Sequence, residues 1–181
     1  DVEIKTTATD SHTGDHVGYT LGNTAIDDAV EMNNLVTGME YTLTGTLYDK
    51  ATGEKVLNSA GQPYTSSVTF TATGRNDSNK RTNMVKHVLI ENVDGTLLEN
   101  HTVVVYEDLY HNGARITTHS DINDEAQSVH FPKVETLARD SKTKDHVGTV
   151  NKPEEVYDTV KLSNLIPGQK YTVSGKLMKH G

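Results

Sequence analysis

Thr6 and Gln127 are the residues of this sequence best placed to react with each other. Side chains two positions apart in a strand share a face. Gln127 is in phase with Val129 and Phe131, and Thr6 is in phase with Ile4. An amide and a hydroxyl are therefore both aimed at an apolar interior, where each needs a partner. We expect Thr6 and Gln127 to meet inside one β-domain and to form a bond.

Two carboxyl side chains show the same inward phase. Glu107 alternates with Val105, and Asp28 alternates with Val30 at the mouth of its predicted strand. Each residue has an ordinary interpretation, as an edge residue paired with a cation for Glu107 and as a strand-start residue for Asp28. The hydroxyl and the amide could likewise be bonded to neighbouring backbone. Burying two unpaired carboxylates is costly, however, so the joint occurrence of all four groups favours a shared site.

The composition excludes several functional classes. The 181 residues include no cysteine, which removes disulfides, Cys-ligated zinc and thiol catalysis. The net charge of -8 argues against nucleic acid and anionic membranes as partners. The sequence has no apolar run of about 18 residues, so we expect no membrane insertion. It shows no signal peptide or anchoring tail, and we expect it to be part of a longer protein.

The sequence repeats itself after a shift of 130 positions, without a gap. Residues 8–18 match residues 138–148, and Thr6 falls on Thr136. Further matched pairs are Asp28 and Asp158, Val30 and Val160, Asn34 and Asn164, Leu35 and Leu165, Gly38 and Gly168, Tyr41 and Tyr171, Thr42 and Thr172, Gly45 and Gly175, and Leu47 and Leu177.

The repeat predicts the domain organisation. We expect one complete unit over residues 1–131 and the N-terminal part of a second copy over residues 132–181. Thr136 and Asp158 would then be the second-repeat equivalents of the first-unit threonine and aspartate. The junction around Pro132 is too short for a flexible linker, so adjacent repeats of the same polypeptide should stack as a stiff rod.

A period of two runs through almost all of the first unit, which predicts strands. The predicted strands cover residues 2–9, 28–35, 40–48, 66–72, 84–90, 102–109, 114–119 and 126–131. Turn signals such as Asn112-Gly113 separate them, and no segment has a helical stripe. About eight short strands indicate an all-β fold, an immunoglobulin-like antiparallel β-sandwich.

Four motifs occur together in the first unit. They are Ile4-x-Thr6-x-Ala8, the run of matched residues from Asp28 to Leu47, Val104-Val105-Tyr106-Glu107, and His119 followed eight residues later by Gln127. In combination they resemble the Thr–Gln ester-bond domains, also called VaFE-type repeats. The third motif is similar to their Val-Ala/Val-Phe-Glu signature, with Tyr where Phe is usual. The resemblance covers the first unit and the available part of the second.

The resemblance implies a structural stalk module of a Gram-positive cell-surface adhesin. Such a protein is extracellular and cell-wall-anchored, with its anchor outside this sequence and an unknown host ligand bound by other parts of the parent protein. The resemblance also implies that Thr6 is esterified to Gln127, promoted by the catalytic residues Asp28, Glu107 and His119. No metal and no other cofactor is expected.

The implied reaction has a simple acid–base logic. The Thr6 hydroxyl attacks the Gln127 side-chain carbonyl, and ammonia leaves. His119 is the natural general base, because imidazole transfers protons near neutral pH. Asp28 and Glu107 would share a proton, and the protonated partner would donate to the developing oxyanion. Because a packed interior excludes water, we expect a single turnover and no enzyme in the usual sense.

Three other interpretations stay open at this point. A Lys–Asn isopeptide-type stalk domain would need an inward lysine on the first strand, but Lys5 is out of phase with Thr6. A ligand-binding adhesin head without a crosslink could hold a cation in the loop of residues 10–16, although its repetition favours a structural turn. A turnover hydrolase built on Thr6 and His119 would need an open pocket.

Overall fold

The computed structural model describes residues 1–74, 80–141, 144–148 and 153–180. Residues 142 and 143 of the repeated loop, and Gly181, lie outside the described residues. Within them the chain has one 3₁₀ turn, Glu125–Gln127, and ten strands. The strands are β1 (Glu3–Asp10), β2 (Asn23–Val36), β3 (Glu40–Asp49), β4 (Thr65–Thr71), β5 (Arg81–Asp94), β6 (Thr102–His111), β7 (Ala114–His119), β8 (Ser128–His130), β9 (Lys133–Asp140) and β10 (Val156–Ser163).

Strands β1 to β8 form two antiparallel sheets that pack face to face. One sheet has the order β1-β2-β5, and the other has the order β4-β3-β6-β7 with β8 beside β6. The prediction of an all-β, immunoglobulin-like antiparallel sandwich is confirmed. β9 and β10 pair only with each other among the described residues. No helix in the described part of the chain is long and apolar enough to cross a membrane.

The abundant threonines favour strands and line the outer face of the second sheet. Three hydroxyl pairs join β3 to β4 along this face. They are Thr42 with Thr69 at 2.9 Å, Thr44 with Ser67 at 2.8 Å, and Thr46 with Thr65 at 3.1 Å. β-branched side chains suit a pleated surface, and their hydroxyls satisfy each other across the strands. The same alternation sends the apolar residues of β3 inward.

The inward faces of the two sheets form two separate hydrophobic clusters. One contains Ala8, Ile26, Leu47, Tyr64, Ile90, Val93, Leu98, Val103, Val105, Val129 and Phe131. The other contains Val30, Met32, Leu35, Tyr41, Leu43, Phe70, Ala72, Val88 and Leu109. On β1, β2, β3 and β6, the inward residue between the two clusters is Thr6, Asp28, Gly45 and Glu107, respectively. The core is thus divided by a layer without a large apolar side chain, which we call the polar layer.

Two predictions of strand position need correction. β2 starts at Asn23, so Asp28 lies inside the strand, between Ala8 of β1 and Val88 of β5, and not at its mouth. β2 is the middle strand of its sheet, and its pairing with β1 and β5 extends it toward the N-terminus, beyond the predicted residues 28–35. The last strand is shorter than residues 126–131, because Gln127 ends the 3₁₀ turn and β8 starts only at the next residue.

The second copy repeats the backbone geometry of the first. Thr136 pairs with Val160 in β9 and β10, as Thr6 pairs with Val30 in β1 and β2. The Tyr41 hydroxyl accepts from the Val36 N–H at 3.0 Å, and a contact of the same length joins the matched pair Tyr171 and Ile166. Both Thr136 and Asp158 are exposed, because no second sheet covers them among the described residues.

The loop after β1 is organised by the buried carboxylate of Asp10. This carboxylate accepts from the backbone N–H of His12 (2.8 Å), Thr13 (3.3 Å) and Tyr19 (2.9 Å), and from the Thr24 hydroxyl (3.0 Å). These donors take up the oxygens that a cation would need. The described residues also contain no cluster of three or more metal-binding side chains. The loop is therefore a structural turn.

We expect Asp10→Ala to lower the free energy of unfolding by about 2–4 kcal/mol, because it leaves three backbone N–H groups and the buried Thr24 hydroxyl without this acceptor. Urea denaturation measures the loss. Asp15→Ala is the matched control, since its side chain accepts from only one backbone N–H of the loop, that of Val17. The control should cost at most about 1 kcal/mol. Equal losses in the two variants would contradict the central role of Asp10.

Candidate crosslinking site

The register of β1 and β2 brings Thr6 and Asp28 to the same inward face. Thr6 lies opposite Val30, and Asp28 lies opposite Ala8, so the hydroxyl and the carboxyl are diagonal neighbours. Thr6 is 1% exposed and Asp28 is fully buried. β6 supplies Glu107 to this polar layer from the opposite sheet, and it too is fully buried.

Gln127 enters the polar layer from the 3₁₀ turn, which packs against β1. Its side-chain Nε2 donates to the backbone carbonyl of Val105 at 2.9 Å and to Asp28 Oδ2 at 3.4 Å. The Val105 carbonyl can only accept, so the nitrogen of the amide must face it. The amide is therefore held by its nitrogen, and its carbonyl points away from these two acceptors.

The hydroxyl oxygen that would attack and the carbonyl oxygen of the amide that it would attack are both left without a hydrogen bond. Thr6 Oγ1 and Gln127 Oε1 are buried polar atoms that have no partner among the described residues. Unpaired buried polar atoms are rare in folded proteins and carry a free-energy cost. Their presence on the two residues that the sequence singled out is typical of a reactive site.

Asp28 and Glu107 contact each other through their carboxyl groups. Two carboxylates are acceptors only, so this contact is a hydrogen bond only when one of them carries a proton. Asp28 Oδ1 and both oxygens of Glu107 have no other partner in the described part of the chain. A shared proton thus lowers the free-energy cost of burying these two carboxyl groups together.

Burial raises the pKa of both carboxyl groups, and that of Glu107 more strongly. Burial raises the pKa of Glu107 to about 10, and the neighbouring Asp28 carboxyl adds to the rise. Burial also raises the pKa of Asp28, but only to about 6, since hydrogen bonds from Glu107 and Gln127 stabilise its charged form. At neutral pH the pair therefore keeps one proton and carries one negative charge.

This geometry bears on one expected role. The sequence suggested that the protonated carboxyl would donate to the oxyanion on Gln127. In the structure, Asp28 Oδ2 faces the amide nitrogen of Gln127, and Gln127 Oε1 has no hydrogen-bond partner in the described residues. Asp28 thus faces the nitrogen that would leave, and the expected donation to the oxyanion stays a prediction.

His119 ends β7, opposite Glu107 of β6, and lies close enough to Asp28 to help lower the pKa of that carboxyl. Its Nε2 lies 2.6 Å from Asp124 Oδ2. A carboxylate accepts, so Nε2 donates to it, and Nδ1 is the ring nitrogen left to act as the expected general base. β7 packs against β1, which brings the imidazole to the side of the sandwich that holds Thr6.

Asp124 is a site residue that sequence reasoning missed. Its Oδ1 accepts from the Ala126 N–H at 3.0 Å, and its backbone carbonyl accepts from the Gln127 N–H at 3.1 Å. One residue thus caps the turn that presents Gln127 and orients His119. The signal was present, because an aspartate before a short Glu-containing turn is a typical N-cap.

Gly45 is a second residue whose role was missed. It pairs with Glu107 across β3 and β6, and a Cβ on Gly45 would collide with Glu107 Oε1. A glycine inside a strand often marks a close approach of this kind. The matched Gly175 of the second copy has open space around it.

The structure brings together all five residues that the sequence selected, Thr6, Asp28, Glu107, His119 and Gln127. It does not bring the second-repeat equivalents Thr136 and Asp158 into such a site, since both are exposed. Lys5 is exposed on the outer face of β1, which removes the inward lysine that an isopeptide bond would need.

A model of the family described as "T-Q ester bond containing domain" matches residues 2–131 and, separately, residues 132–181. The chain belongs to this family. The resemblance seen in the sequence motifs is therefore confirmed. No functionally curated protein matches the chain.

Among solved structures, this ester-bond domain chain is similar to a bacterial adhesin from Mobiluncus mulieris containing intramolecular disulfide, isopeptide and ester bond cross-links. Two crystal forms of that adhesin match, with 13% and 12% sequence identity and TM-scores of 0.51 and 0.52. Each match covers 89% of this chain and 75% of the adhesin chain. At this level of identity the likeness concerns the fold alone.

The buried carboxyl pair predicts a pH dependence of stability in Thr6→Ala, which cannot form the ester. The folded pKa of Glu107, about 10, exceeds its ordinary value of 4.5, so between these values only the folded state holds the proton. The stability that Glu107 contributes is fully present below about pH 4.5. It falls as the pH rises toward the folded pKa, by about 1.4 kcal/mol per pH unit. Urea denaturation at several pH values between about 7 and 9 measures the slope of Glu107 alone, because Asp28, with its pKa near 6, is ionised there in both states. Adding Glu107→Gln should flatten it, and an unchanged slope would contradict this assignment.

We expect Asp124→Asn to slow ester formation on the order of 100-fold, because His119 loses the carboxylate that fixes its tautomer. Asparagine still caps the turn, so the fold should be kept. Refolding followed by timed mass measurements gives the rate. Asp121→Asn is the matched control, since Asp121 accepts from the Asn123 N–H and does not contact His119. A rate in Asp124→Asn equal to that of the control would contradict the positioning role.

Proposed function

We propose that residues 1–131 form a load-bearing domain that closes itself with an ester between Thr6 and Gln127. The observation that carries this proposal is the pair of buried, unpartnered atoms, Thr6 Oγ1 and Gln127 Oε1, beside a carboxyl pair that shares one proton. Membership in the ester-bond family supports the same chemistry. Residues 132–181 would be the beginning of a second copy, in agreement with the separate family match over that segment.

The proposed reaction begins with proton transfer from Thr6 Oγ1 to His119. The oxygen forms a bond with Gln127 Cδ, and the amide carbonyl becomes a tetrahedral oxyanion. When this intermediate collapses, the Cδ–Nε2 bond breaks and the nitrogen leaves as ammonia. The nitrogen departs with its two protons and one more, which balances the proton lost by Thr6.

The carboxyl pair is proposed to deliver that last proton. Asp28 Oδ2 lies 3.4 Å from Gln127 Nε2, and Glu107 holds a proton that it shares with Asp28. Protonation of the nitrogen through Asp28 would make ammonia the leaving group and avoid an amide anion. His119 would then return the threonine proton to the pair. The fold supplies the proximity, because the reacting groups lie on elements that meet only when the sandwich closes.

The proposed domain reacts once. Thr6 is 1% exposed and Gln127 is fully buried, so water has no ready access to an ester between them. Ester hydrolysis would need that water. This burial favours a permanent crosslink over a turnover hydrolase, and it also argues against a site for an external substrate.

The proposed bond joins the first strand to the residue just before the last strand. A crosslink that closes a loop of this length stabilises a domain by about 5 kcal/mol in chain-entropy estimates for disulfides. A chain without cysteine has no disulfide to serve this purpose. The adhesin with ester cross-links that shares the fold supports a role as a stalk module of a surface adhesin. We propose an extracellular, cell-wall-anchored protein of a Gram-positive bacterium.

Intact mass tests the crosslink directly. We expect the purified protein to be lighter than its sequence mass by one ammonia, roughly 17 Da. Hydroxylamine should cleave the ester, which frees the Thr6 hydroxyl and leaves a hydroxamate on the side chain of residue 127. Thr6→Ala and Gln127→Ala should have the full mass and unfold about 5 kcal/mol more easily. Thr136→Ala, at the exposed equivalent position, should keep the mass deficit. A full sequence mass in the unmodified protein, or a deficit that survives in Thr6→Ala, would overturn the proposal.

A further inference from the structure

The connection between the two copies contains almost no free chain. Phe131 is fully buried, and its ring packs so closely on Gly18 that a side chain at Gly18 would collide with it. β9 starts at Lys133, so only Pro132 lies between an anchored residue and the next strand. The proline ring fixes its own φ angle and restricts the residue before it. Few torsions remain by which the second copy can turn against the first.

Two side chains of the second copy reach across this junction. Gln169 Nε2 donates to Asp15 Oδ2 at 3.3 Å, and Asn164 makes the larger set of contacts. Asn164 follows β10, and its Nδ2 donates to the Phe131 carbonyl at 2.9 Å and to the His101 carbonyl at 3.0 Å. Its Oδ1 accepts from the Thr102 hydroxyl at 3.2 Å. Both amide protons and the amide oxygen are thus bound by groups of the first unit or of its last residue.

Asn34, the matched residue of the first copy, shows which of these contacts belong to the repeat itself and which join two copies. Asn34 Nδ2 donates to the Asp1 carbonyl at 3.1 Å, and Asp1 is the position that corresponds to Phe131. The contact with the preceding carbonyl is therefore part of the repeat itself. The contacts of Asn164 with His101 and Thr102 come from a different copy, so they belong to the interface. Asn164 and Asn34 share a positive φ, 58° and 68°, which points both amides in the same direction.

We propose that Asn164 is the residue that fixes the angle between consecutive copies, by binding the end of β6 of the copy before it. The receiving surface consists of the His101 carbonyl and the Thr102 hydroxyl. By the same correspondence, Asn34 would bind the His101 carbonyl and the Thr102 hydroxyl of a copy that precedes this first unit. The partner is thus a second copy of the same domain, stacked head to tail.

Hydrogen bonds also link the receiving surface to the 3₁₀ turn Glu125–Gln127. Thr102 Oγ1 lies 2.9 Å from His130 Nδ1, and His130 Nε2 lies 2.9 Å from Glu125 Oε2. Glu125 begins the 3₁₀ turn that presents Gln127. The interface therefore rests on the same short segment that carries one end of the proposed ester, although it forms by hydrogen bonds and does not depend on the ester.

Distances between two spin labels test the proposal in the full chain. The natural sequence has no cysteine, so Ala51→Cys and Thr159→Cys, both at exposed positions, label one site in each copy. We expect a single narrow distance distribution in this parent. Asn164→Gly, which keeps the positive φ without strain, should broaden it roughly twofold or more, because small interfaces leave domains free to move. Asn34→Gly is the matched control and should leave the distribution unchanged.

Thr102→Val gives a second arm, because it removes the hydroxyl from the first unit without touching β9 or β10. It should also broaden or shift the distribution. If Asn164→Gly unfolds the second copy, as judged by its amide NMR spectrum, Thr102→Val decides the question. A parent distribution that is already broad, or a distribution that both variants leave unchanged, would overturn the proposal. The intact mass of each protein reports the ester separately. A result against the fixed angle between copies can therefore be told apart from a result against the crosslink.

Discussion

A single proton shared by Asp28 and Glu107 is the interaction on which the centre of the sandwich depends. Two carboxyls in a fully buried layer would repel each other if both were ionised, and neither has enough donors to be solvated by the protein. A hydrophobic pair in the same place would cost less. The arrangement is therefore better explained by chemistry than by stability. It concentrates an acid, a carboxylate and an amide where water is absent.

The rest of the fold follows from the need to hold this layer in place. Each of β1, β2, β3 and β6 gives one inward position to it, and the apolar residues on either side form two clusters instead of one continuous core. The layer also needs room, which Gly45 supplies by having no side chain next to Glu107. The two clusters fix the strands, and the strands fix the reacting groups to within the tolerance that such chemistry requires.

The period of two predicted the sandwich and the inward direction of Thr6, Asp28 and Glu107, because a strand places alternate residues on one face whatever its partners are. It could not predict that Gln127 sits on a 3₁₀ turn, since that depends on the cap formed by Asp124. The contacts of Asp124 with His119 join residues on different elements, and alternation carries no information about them. The internal repeat identified Asn164 as a matched residue, but only the folded junction gives its amide a partner in the other copy.

The separation of Thr6 and Gln127 along the chain sets how far such a domain can lengthen. Without a covalent closure, pulling on its ends would unfold about 120 residues per domain, which is roughly 400 Å of extended chain. With the ester formed, only the few residues outside the closed loop lie on the path of tension. A series of these domains would then behave as an inextensible tether. It would pass a sudden pull to its attachment points almost unchanged, and it would dissipate little of the work by unfolding.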